Sequence, residues 1–483
     1  MDTKKLRQKI LDLAIRGKLV PQDPTDEPAS VLLQRIRAEK ERLIAEGKIK
    51  RPKKSKTPSS ESNYQNFTPP FEAPAYWGWC KIDDVAFVTK LAGFEYSKYI
   101  ADNLSSEFGI PLFKGKNVKN GAIDYTFESF IPEPISDELW RSQITKKCLL
   151  TPYVGAIGNV GIHHKTGKFH LGSNVGKIEI FNEHESIYSE EYLRYYLQST
   201  YGYKELTKHK KATAQESISI DAIRDVIIPV VGIDEQFRIV SEIEKWGKFL
   251  DNIDNGILQL TDYISLAKSR ILELAIQGKL VPQDPTDEPA VEMLKRINPN
   301  AKILTDSQHS WNIPSNWIWI SVKDIFKPME RELPSDDEFK YIDINSIDNK
   351  TNTAHPKTIL TKAAPSRASR KTRKGDIVFS MVRPYLKNIA IVPEDDCIAS
   401  TGFYVLSCTR SINHVFAFLI AISDFFVKGL NSFMKGDNSP SINKDHIENY
   451  VIPLPPLNEQ KRIVAKIEEL YSVLDKIEAS LQS

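Results

Sequence analysis

The chain has 483 residues, which exceeds the usual size of one globular core and predicts two domains with connecting segments. Its 65 basic and 63 acidic side chains nearly cancel, so no global positive charge indicates nucleic-acid binding, and such binding would have to come from local patches. The four cysteines form no Cys-x-x-Cys pair, no apolar signal segment opens the chain, and the apolar runs are too short to span a bilayer. These features predict a reduced, cytoplasmic protein without a membrane partner.

The first predicted element is a helix in a stretch that occurs twice. "ILDLAIRGKLVPQDPTDEPA" begins at Ile10, and "ILELAIQGKLVPQDPTDEPA" begins at Ile271. Glycine commonly closes a helix, so the two helices are predicted to end near Gly17 and Gly278. Thr and Asp cap helix starts, so new helices are predicted to begin at Thr25 or Asp26 with Pro28 in the first turn, and in the copy at Thr286 or Asp287 with Pro289.

A polar segment follows, from Glu39 to Pro70. It carries six positive charges between Lys48 and Lys56 and is then rich in Ser, Pro and Asn. This composition is typical of a flexible linker. The alternative is that its basic run contacts a DNA backbone.

Two long inserts follow the repeated stretches, and they resemble each other only at their edges. They start with "YWGWCKIDDVAFV" from Tyr76 and "NWIWISVKDIFKP" from Asn316, and their ends also match. β-rich stretches such as "GDIVFSMV" alternate with helical ones such as "HVFAFLIAISDFFVKGL", which predicts compact α+β domains. The tryptophans near the starts are predicted to pack in the core: Trp77, Trp79, Trp317 and Trp319. The divergent interiors fit two related domains with different targets, or else drift in two structural domains.

A second repeat closes each insert and leads into a helix. "IPVVGIDEQFRIVSEIE" from Ile228 matches "IPLPPLNEQKRIVAKIE" from Ile452, and apolar residues then recur at spacings of four and three, the pattern of a helix packed on another helix. Because the two repeats have different offsets, the positions that correspond to the chain ends lie on either side of Leu260. The sequence therefore reads as a circular duplication with pseudo-two-fold symmetry. The predicted seam positions are Ile239, Ile243, Trp246, Leu250, Ile253 and Ile257 in the middle, and Ile463, Ile467, Leu470, Leu474 and Ile477 at the end.

Local positive charge indicates candidate nucleic-acid contacts in both inserts. From Thr361 to Ala390 the chain has eight basic residues and one acidic residue. Arg and Asn can contact guanine and adenine edges, and Lys neutralises phosphates. The candidates in the second insert are Arg367, Arg370, Lys371, Arg373, Arg383, Tyr385, Lys387 and Asn388. Those in the first insert are Lys114, Lys116, Asn117, Lys119, Asn159, Lys165, Lys208, Lys210 and Lys211. The competing interpretation of each run is a solvated surface.

Common catalytic motifs are missing from the sequence. It has no Gly-x-x-x-x-Gly-Lys-Ser/Thr phosphate loop, no Gly-x-Gly-x-x-Gly after a strand and no Asn/Asp-Pro-Pro-Tyr/Phe methyltransferase stretch. His163, His164 and His170 could suggest a metal site, but surface histidines are the favoured interpretation because no Cys or Asp completes a ligand set. We therefore expect neither catalysis nor a metal in this chain. The alternatives are an enzyme with an unrecognised active site and a coiled-coil scaffold that binds only proteins.

Taken together, these features resemble the specificity subunit of type I restriction-modification systems, over essentially the whole chain. The resemblance rests on the two variable inserts, the "GKLVPQDP" segments, the circular organisation and the Glu-Gln helix starts at Glu235-Gln236 and Glu459-Gln460. It implies an α+β fold of two globular target recognition domains, separated by two long antiparallel coiled-coil helical connectors. The domains would read the two halves of an asymmetric, interrupted DNA site, and the connectors would fix the gap between the halves.

The resemblance also implies partners and further site residues. Two modification subunits would bring S-adenosylmethionine and methylate adenine in double-stranded DNA, and restriction subunits would add ATP-driven translocation and a Mg-dependent nuclease. No cofactor is expected in this chain. In this family the loop before the closing strand of each target domain lies near DNA, which here means 211–217 and 435–441 and adds Gln215, Lys435 and Asn438.

The expected boundaries follow from the repeats. The N-terminal part of the helical connector, 1–46, would pair with the C-terminal tail and precede a basic, polar linker at 47–70. The first target recognition domain would cover 71–232, the central connector 233–298, the second target recognition domain 299–456 and the C-terminal connector 457–483.

Overall fold

The structure is a computed structural model that describes residues 2–49, 68–182, 185–210, 216–304, 311–436 and 438–482. These residues form two compact units, an N-terminal unit, Asp2–Asn255, and a C-terminal unit, Gly256–Ser483. Both units combine helices with β-sheets, as the predicted α+β fold requires. Most of the expected linker and the candidates Lys211 and Gln215 lie outside the described residues.

The N-terminal unit begins with two helices and continues with strands and shorter helices. Its helices are α1 (Thr3–Ile15), α2 (Ala29–Ala45), α3 (Ile82–Val85), α4 (Gly93–Glu95), α5 (Glu133–Glu138), α6 (Glu190–Gln198), α7 (Thr200–Thr207) and α8 (Ile220–Arg224). Its strands are β1 (Gly78–Lys81), β2 (Ala86–Lys90), β3 (Ile110–Phe113), β4 (Phe130–Ile131), β5 (Gln143–Ile144), β6 (Cys148–Pro152), β7 (Gly161–His163), β8 (Phe169–Leu171), β9 (Val175–Ile180) and β10 (Ile227–Val230). The sheets have the strand orders β1-β10, β2-β9-β6-β7 and β4-β3-β8-β5.

Helix α9 (Ile233–Ile276) is continuous over 44 residues and ends in the C-terminal unit. The further helices of that unit are α10 (Ala290–Ile297), α11 (Val322–Ile325), α12 (His414–Ile422), α13 (Asp424–Asn431), α14 (Lys444–Glu448) and α15 (Leu457–Gln482). Its strands are β11 (Ile303–Leu304), β12 (Ile318–Ser321), β13 (Phe326–Lys327), β14 (Glu338–Ile342), β15 (Ile347–Asp348), β16 (Thr353–Ala354), β17 (Lys357–Leu360), β18 (Ala368–Lys371), β19 (Ile377–Ser380), β20 (Ile389–Ile391), β21 (Cys397–Ser400), β22 (Phe403–Cys408) and β23 (Val451–Leu454). The sheets have the orders β11-β12-β23, β13-β22-β19-β20-β16-β15 and β17-β14-β21-β18.

Each insert is closed by pairing between its first and last strands. In the N-terminal unit β1 and β10 are antiparallel, with Trp79 opposite Pro229. In the C-terminal unit β12 and β23 are antiparallel, with Trp319 opposite Pro453. The tryptophans Trp77, Trp317 and Trp319 are buried and Trp79 packs partly buried on the core, as predicted. The similar sequence edges are therefore the strand pairs that join the start of each insert to its end.

The repeated helices end where their glycines predict. α1 ends at Ile15 and α9 ends at Ile276. Gly17 and Gly278 follow, and both adopt the left-handed backbone, with φ of +67° and +71°. A side chain is strained in that conformation, which explains the glycine at both positions.

The predicted starts of the next helices are wrong. α2 begins at Ala29 and α10 at Ala290, with Pro28 and Pro289 as the N-cap residues instead of Thr25, Asp26, Thr286 or Asp287. The carboxylate of Asp23 accepts hydrogen bonds from the amide and hydroxyl of Thr25, at 2.9 and 2.7 Å, and so forms a turn ahead of the helix. Helix α2 also runs to Ala45, so the polar segment expected to be flexible from Glu39 starts with helix.

The apolar stretch from His414 to Leu430 is two helices instead of one. The hydroxyl of Ser423 accepts a hydrogen bond from the amide of Phe426 at 3.2 Å and thereby begins α13. Ser199 begins α7 in the same way, through the amide of Gly202 at 3.1 Å. Among the described residues no single helix is long and apolar enough to cross a membrane, and only α12 with α13, bent by 50°, reaches that length and composition.

The Glu-Gln pairs that begin α9 and α15 make equivalent contacts. The amide oxygen of Gln236 accepts a hydrogen bond from the backbone of Ser189 at 2.8 Å, and that of Gln460 accepts one from Asn413 at 2.7 Å. All four Glu and Gln side chains are fully buried, and burial raises the pKa of the glutamates, Glu235 and Glu459. The signature residues thus attach each long helix to the domain before it.

A second set of contacts recurs where helices meet. In the N-terminal unit one cation of α1 pairs with two carboxylates of α9, and in the C-terminal unit one cation of α9 pairs with two carboxylates of α15. The two groups occupy repeat-equivalent positions: Arg7 with Asp251 and Asp254, and Lys268 with Asp475 and Glu478. A further ion pair also recurs at repeat-equivalent positions. Arg238, two residues after Gln236, pairs with Asp26, and Arg462, two residues after Gln460, pairs with Asp287.

Candidate nucleic-acid interface

In the C-terminal unit, two loops that are distant in sequence lie together. The loop 381–388 follows β19, and Val382 forms a β-bridge with Ser441 in the segment before α14. Arg383 donates its backbone amide to the carbonyl of Pro440 and its guanidinium to the carbonyl of Asn438, both at 2.8 Å. We call residues 381–388 with 435, 436 and 438–441 the C-terminal loop pair. It brings together candidates that sequence reasoning had placed in separate segments, and it exposes Arg383, Tyr385, Lys435 and Asn438.

The backbone of this loop pair is held in an unusual shape. Arg383 and Lys387 both adopt the left-handed conformation, with φ of +48° and +51°, on either side of a short turn at Pro384–Leu386. Such a conformation costs a non-glycine residue roughly 1–3 kcal/mol and persists only where neighbouring contacts enforce it. Here Pro384 is buried, and the ammonium of Lys387 pairs with Asp424 of α13 at 2.7 Å.

The N-terminal unit has a corresponding arrangement, which we call the N-terminal loop pair. It comprises the loop 153–160 after β6 and residues 208–210 and 216–218. Val154 forms a β-bridge with Ser217, and the amide of Gly155 donates to the carbonyl of Glu216 at 3.1 Å. The left-handed positions here are glycines, Gly155 and Gly158. Sequence reasoning missed Tyr203, whose half-exposed ring lies where a Cβ at Gly158 would sit.

The candidates at 114–119 lie beside the N-terminal loop pair, but they do not all face outward. Asn159 donates its amide to the carbonyl of Val118 at 3.2 Å, which joins the two segments. Asn117 is buried, and its amide nitrogen donates to the carbonyls of Asp124 and Thr126 at 3.1 and 3.0 Å. These contacts favour a framework role for Asn117. Lys114 is partly buried and donates to Ser129, whereas Lys116 and Lys119 are exposed and Lys116 pairs with Glu128.

The histidines correct one expectation. His163 and His170 are fully buried instead of exposed, and only His164 is exposed. Burial lowers the pKa of His163 to about 4. Its ring packs with Phe113, Tyr125 and Phe169, and the ammonium of Lys165 lies 3.9 Å from the Tyr125 ring centre. Among the described residues no cluster of three or more His, Cys, Asp or Glu side chains could hold a metal ion.

The basic run from Thr361 is less positive in space than in sequence. Arg373 pairs with Glu330 at 2.8 Å, and Lys371 pairs with Glu332 at 3.2 Å, because residues 330–332 lie beside β18. The backbone of Arg370 forms an antiparallel β-bridge with that of Arg331 in the same place. Burial, and then the nearby positive charge of Arg331, lower the pKa of Arg370. Asn388 is buried, Arg367 is exposed, and Arg331 adds a cation that sequence reasoning missed.

The predicted seam positions are buried at the starts of the two long helices. Ile239 and Ile243 belong to the core of the N-terminal unit, and Ile463 and Ile467 belong to the core of the C-terminal unit. Leu250 is buried as well. Ile253, Ile257, Leu470 and Leu474 are partly buried, while Trp246 and Ile477 are exposed.

Comparison with known proteins identifies the family. The family model of the type I restriction modification DNA specificity domain matches residues 77–261 and 314–483, which is most of the chain. The chain belongs to this family. Its role is therefore that of a DNA sequence-specificity subunit, and catalysis belongs to other subunits.

Individual relatives of the specificity family align over nearly the whole chain. The specificity subunit of the Escherichia coli type I restriction enzyme EcoAI is 27% identical over an alignment of 550 positions that covers 98% of this chain and 90% of the relative. The EcoEI specificity subunit, also from Escherichia coli, is 24% identical and covers 99% and 91%. Among solved structures, the HsdS subunit from Thermoanaerobacter tengcongensis is 39% identical, covers 36% of this chain and 46% of that chain, and has a TM-score of 0.33.

Proposed function

We propose that the chain reads an asymmetric, interrupted DNA sequence, with one half of the site contacted by each loop pair. The observation that carries this proposal is that each unit builds the same two-loop arrangement and places different exposed side chains on it. Arg383, Lys435 and Asn438 lie on one, and Lys208 and Lys210 lie on the other, where the ring of Tyr203 from α7 packs beside Gly158. Equivalent frames with different side chains are what two half-sites of different sequence require.

Arg383 is the residue that we assign to base reading in the C-terminal unit. It is exposed, its backbone is fixed by Pro440, and its guanidinium donates to Asn438 and retains further N–H groups. A guanidinium can make a bidentate contact with the O6 and N7 atoms of guanine. In the C-terminal unit we assign Lys435, Arg367 and Arg370 to phosphates. In the N-terminal unit we assign Lys119, Lys165, Lys208 and Lys210 to phosphates, and the last two also pair with Glu205 and Glu216.

We further propose a circular duplication in which paired helical connectors set the gap between the half-sites. The repeated sequences support this proposal, as do the recurring ion pairs of Arg7 and Lys268 and the recurring contacts of Gln236 and Gln460. Two modification subunits would dock on equivalent surfaces, bring S-adenosylmethionine and methylate adenine. Restriction subunits with ATP and Mg would complete the complex, which would act in the cytoplasm.

The test is an arginine substitution in the complex of this chain with its modification subunits. Arg383→Ala should weaken binding to the DNA site that the complex recognises by about 1–3 kcal/mol, and it should relax base discrimination in one half-site only. Arg410→Ala is the matched control, because Arg410 is exposed in the same unit but lies away from the C-terminal loop pair. The loop 381–388 leaves β19 beside Phe403, the first residue of β22, whereas Arg410 follows Cys408, the last residue of that strand. Duplexes with single base-pair changes in each half report the discrimination. Equal loss in both halves, or no loss in either, would contradict the assignment.

A further inference from the structure

Two apolar side chains project from the C-terminal loop pair. Tyr385 is 46% exposed and Leu386 is 41% exposed, and they are consecutive in the turn between the left-handed residues. Neither side chain carries a positive charge that could pair with a phosphate. Leu386 has no group that could hydrogen-bond to a base edge, and Tyr385 has only its hydroxyl. Exposed apolar side chains are common on protein surfaces, so a specific role for this pair requires that the turn hold both side chains in place.

The turn is fixed from both ends and from beneath. At its start, the amide of Arg383 donates to Pro440, and Pro384 is buried. At its end, the ammonium of Lys387 pairs with Asp424. The carbonyl of Leu386 itself accepts a hydrogen bond from the side chain of Asn349 at 2.9 Å. The two apolar side chains are therefore presented on a rigid support, so little conformational entropy remains to be lost on contact.

Positive charge surrounds the pair. Arg383 directly precedes the turn and exposed Lys435 lies on the facing loop, whereas the charge of Lys387, directly after the turn, is paired with Asp424. Cations around a rigid apolar projection suit a surface on which phosphates flank stacked bases. The corresponding loop of the N-terminal unit has no such pair, since Ala156 carries only a methyl group and Ile157 packs partly buried on the core between Gly155 and Gly158.

We propose that Tyr385 and Leu386 form a wedge that enters one base step in the half-site read by the C-terminal unit and partly unstacks it. This rests on the proposed function, because it presumes that the C-terminal loop pair contacts DNA. The wedge gives specificity through the ease with which a step unstacks, in addition to the edge contact of Arg383.

The test places 2-aminopurine, whose fluorescence rises on unstacking, at successive purine positions of both half-sites, leaving out the methylated adenines. With the complex of chain and modification subunits, fluorescence should rise at one step of the C-terminal half-site. Leu386→Ala and Tyr385→Ala should abolish that rise and weaken binding by roughly fivefold to a hundredfold. Tyr385→Phe keeps the ring and should weaken binding less than Tyr385→Ala does.

Leu360→Ala is the matched control, because Leu360 is 48% exposed in the same unit but lies in β17, outside the loop pair. Unchanged binding and unchanged fluorescence in both alanine variants would overturn the wedge. The proposed function would then still stand if Arg383→Ala relaxes one half-site. If the unsubstituted complex binds duplexes with base-pair changes in either half-site as tightly as the unchanged duplex, the proposed function and the wedge are overturned together.

Discussion

Residues on the two loop pairs show how one pairing of loops can carry different chemistry. The N-terminal loop uses Gly155 and Gly158 at its left-handed positions, where glycine is unstrained. The C-terminal loop uses Arg383 and Lys387 and retains the strained conformation through neighbouring contacts. Strained cations held in place at a loop exposed to solvent favour a binding role over a purely structural one.

Residue identity predicted some of this site, and local sequence could not predict the rest. Arg383, Lys435 and Asn438 were predicted, and they lie together. Asn117 and Asn388 were assigned by side-chain type, but whether an amide is satisfied internally depends on folds of the chain that a sequence pattern does not contain. The basic run likewise gains acidic neighbours, Glu330 and Glu332, from a different segment.

Buried His163 predicts a pH-dependent stability of the N-terminal unit. Its pKa of about 4 in the fold is below the ordinary value near 6.5, so the unfolded chain binds the proton more readily. The stabilisation from the neutral ring is therefore present above about pH 6.5 and is lost as the pH falls towards 4, by up to about 3 kcal/mol.

Thermal unfolding from pH 7.5 to pH 4 measures this effect. We expect His163→Gln to be less stable than the unsubstituted chain at neutral pH, with a difference that shrinks on acidification. His164→Gln is the matched control, because His164 is adjacent and exposed. Parallel profiles for the unsubstituted chain and His163→Gln would contradict the assignment of a depressed pKa.

Among the secondary-structure elements, the C-terminal ends of the two repeated helices could be predicted from the sequence, whereas the breaks in apolar stretches could not. The glycine pattern located the ends of α1 and α9 because a left-handed residue is a local requirement. The break at Ser423 depends on its hydroxyl accepting the amide of Phe426, and a uniformly apolar stretch conceals that choice. The false starts at Thr25 and Thr286 arose because the same residue types cap helices and build turns.

The middle of α9 provides a prediction at this scale. Leu250 is 1% exposed, whereas Leu258 on the same helix is 63% exposed. Leu250→Asp should lower the free energy of unfolding by at least about 3 kcal/mol through an uncompensated buried charge, and it should weaken assembly with the modification subunits. Leu258→Asp carries the same charge to an exposed position and is the control.

Chemical denaturation gives the stability of the two variants, and sedimentation gives the state of assembly. If Leu250→Asp is as stable as Leu258→Asp and assembles equally well, the seam position assigned to Leu250 is wrong. If only Leu250→Asp fails in both measurements, the apolar seam of α9 supports the fold and the complex together.

At the scale of the whole molecule, the net charge of +2 gives little guidance, and duplication gives much more. The repeats predicted the equivalent helix ends and the matching insert edges, and the family comparison confirms the specificity role. Exchange of the C-terminal insert for that of a relative should accordingly change one half of the DNA motif and leave the other half intact.

The central claim is that this chain alone chooses the DNA sequence that its complex modifies. The most direct measurement is modification-sensitive long-read sequencing of DNA from cells that express the chain with its modification subunit, compared with cells that lack only the chain. We predict an asymmetric, interrupted motif, methylated on both strands, that disappears when the chain is absent. Identical methylation maps in the two cell types, despite a stable complex, would contradict the claim.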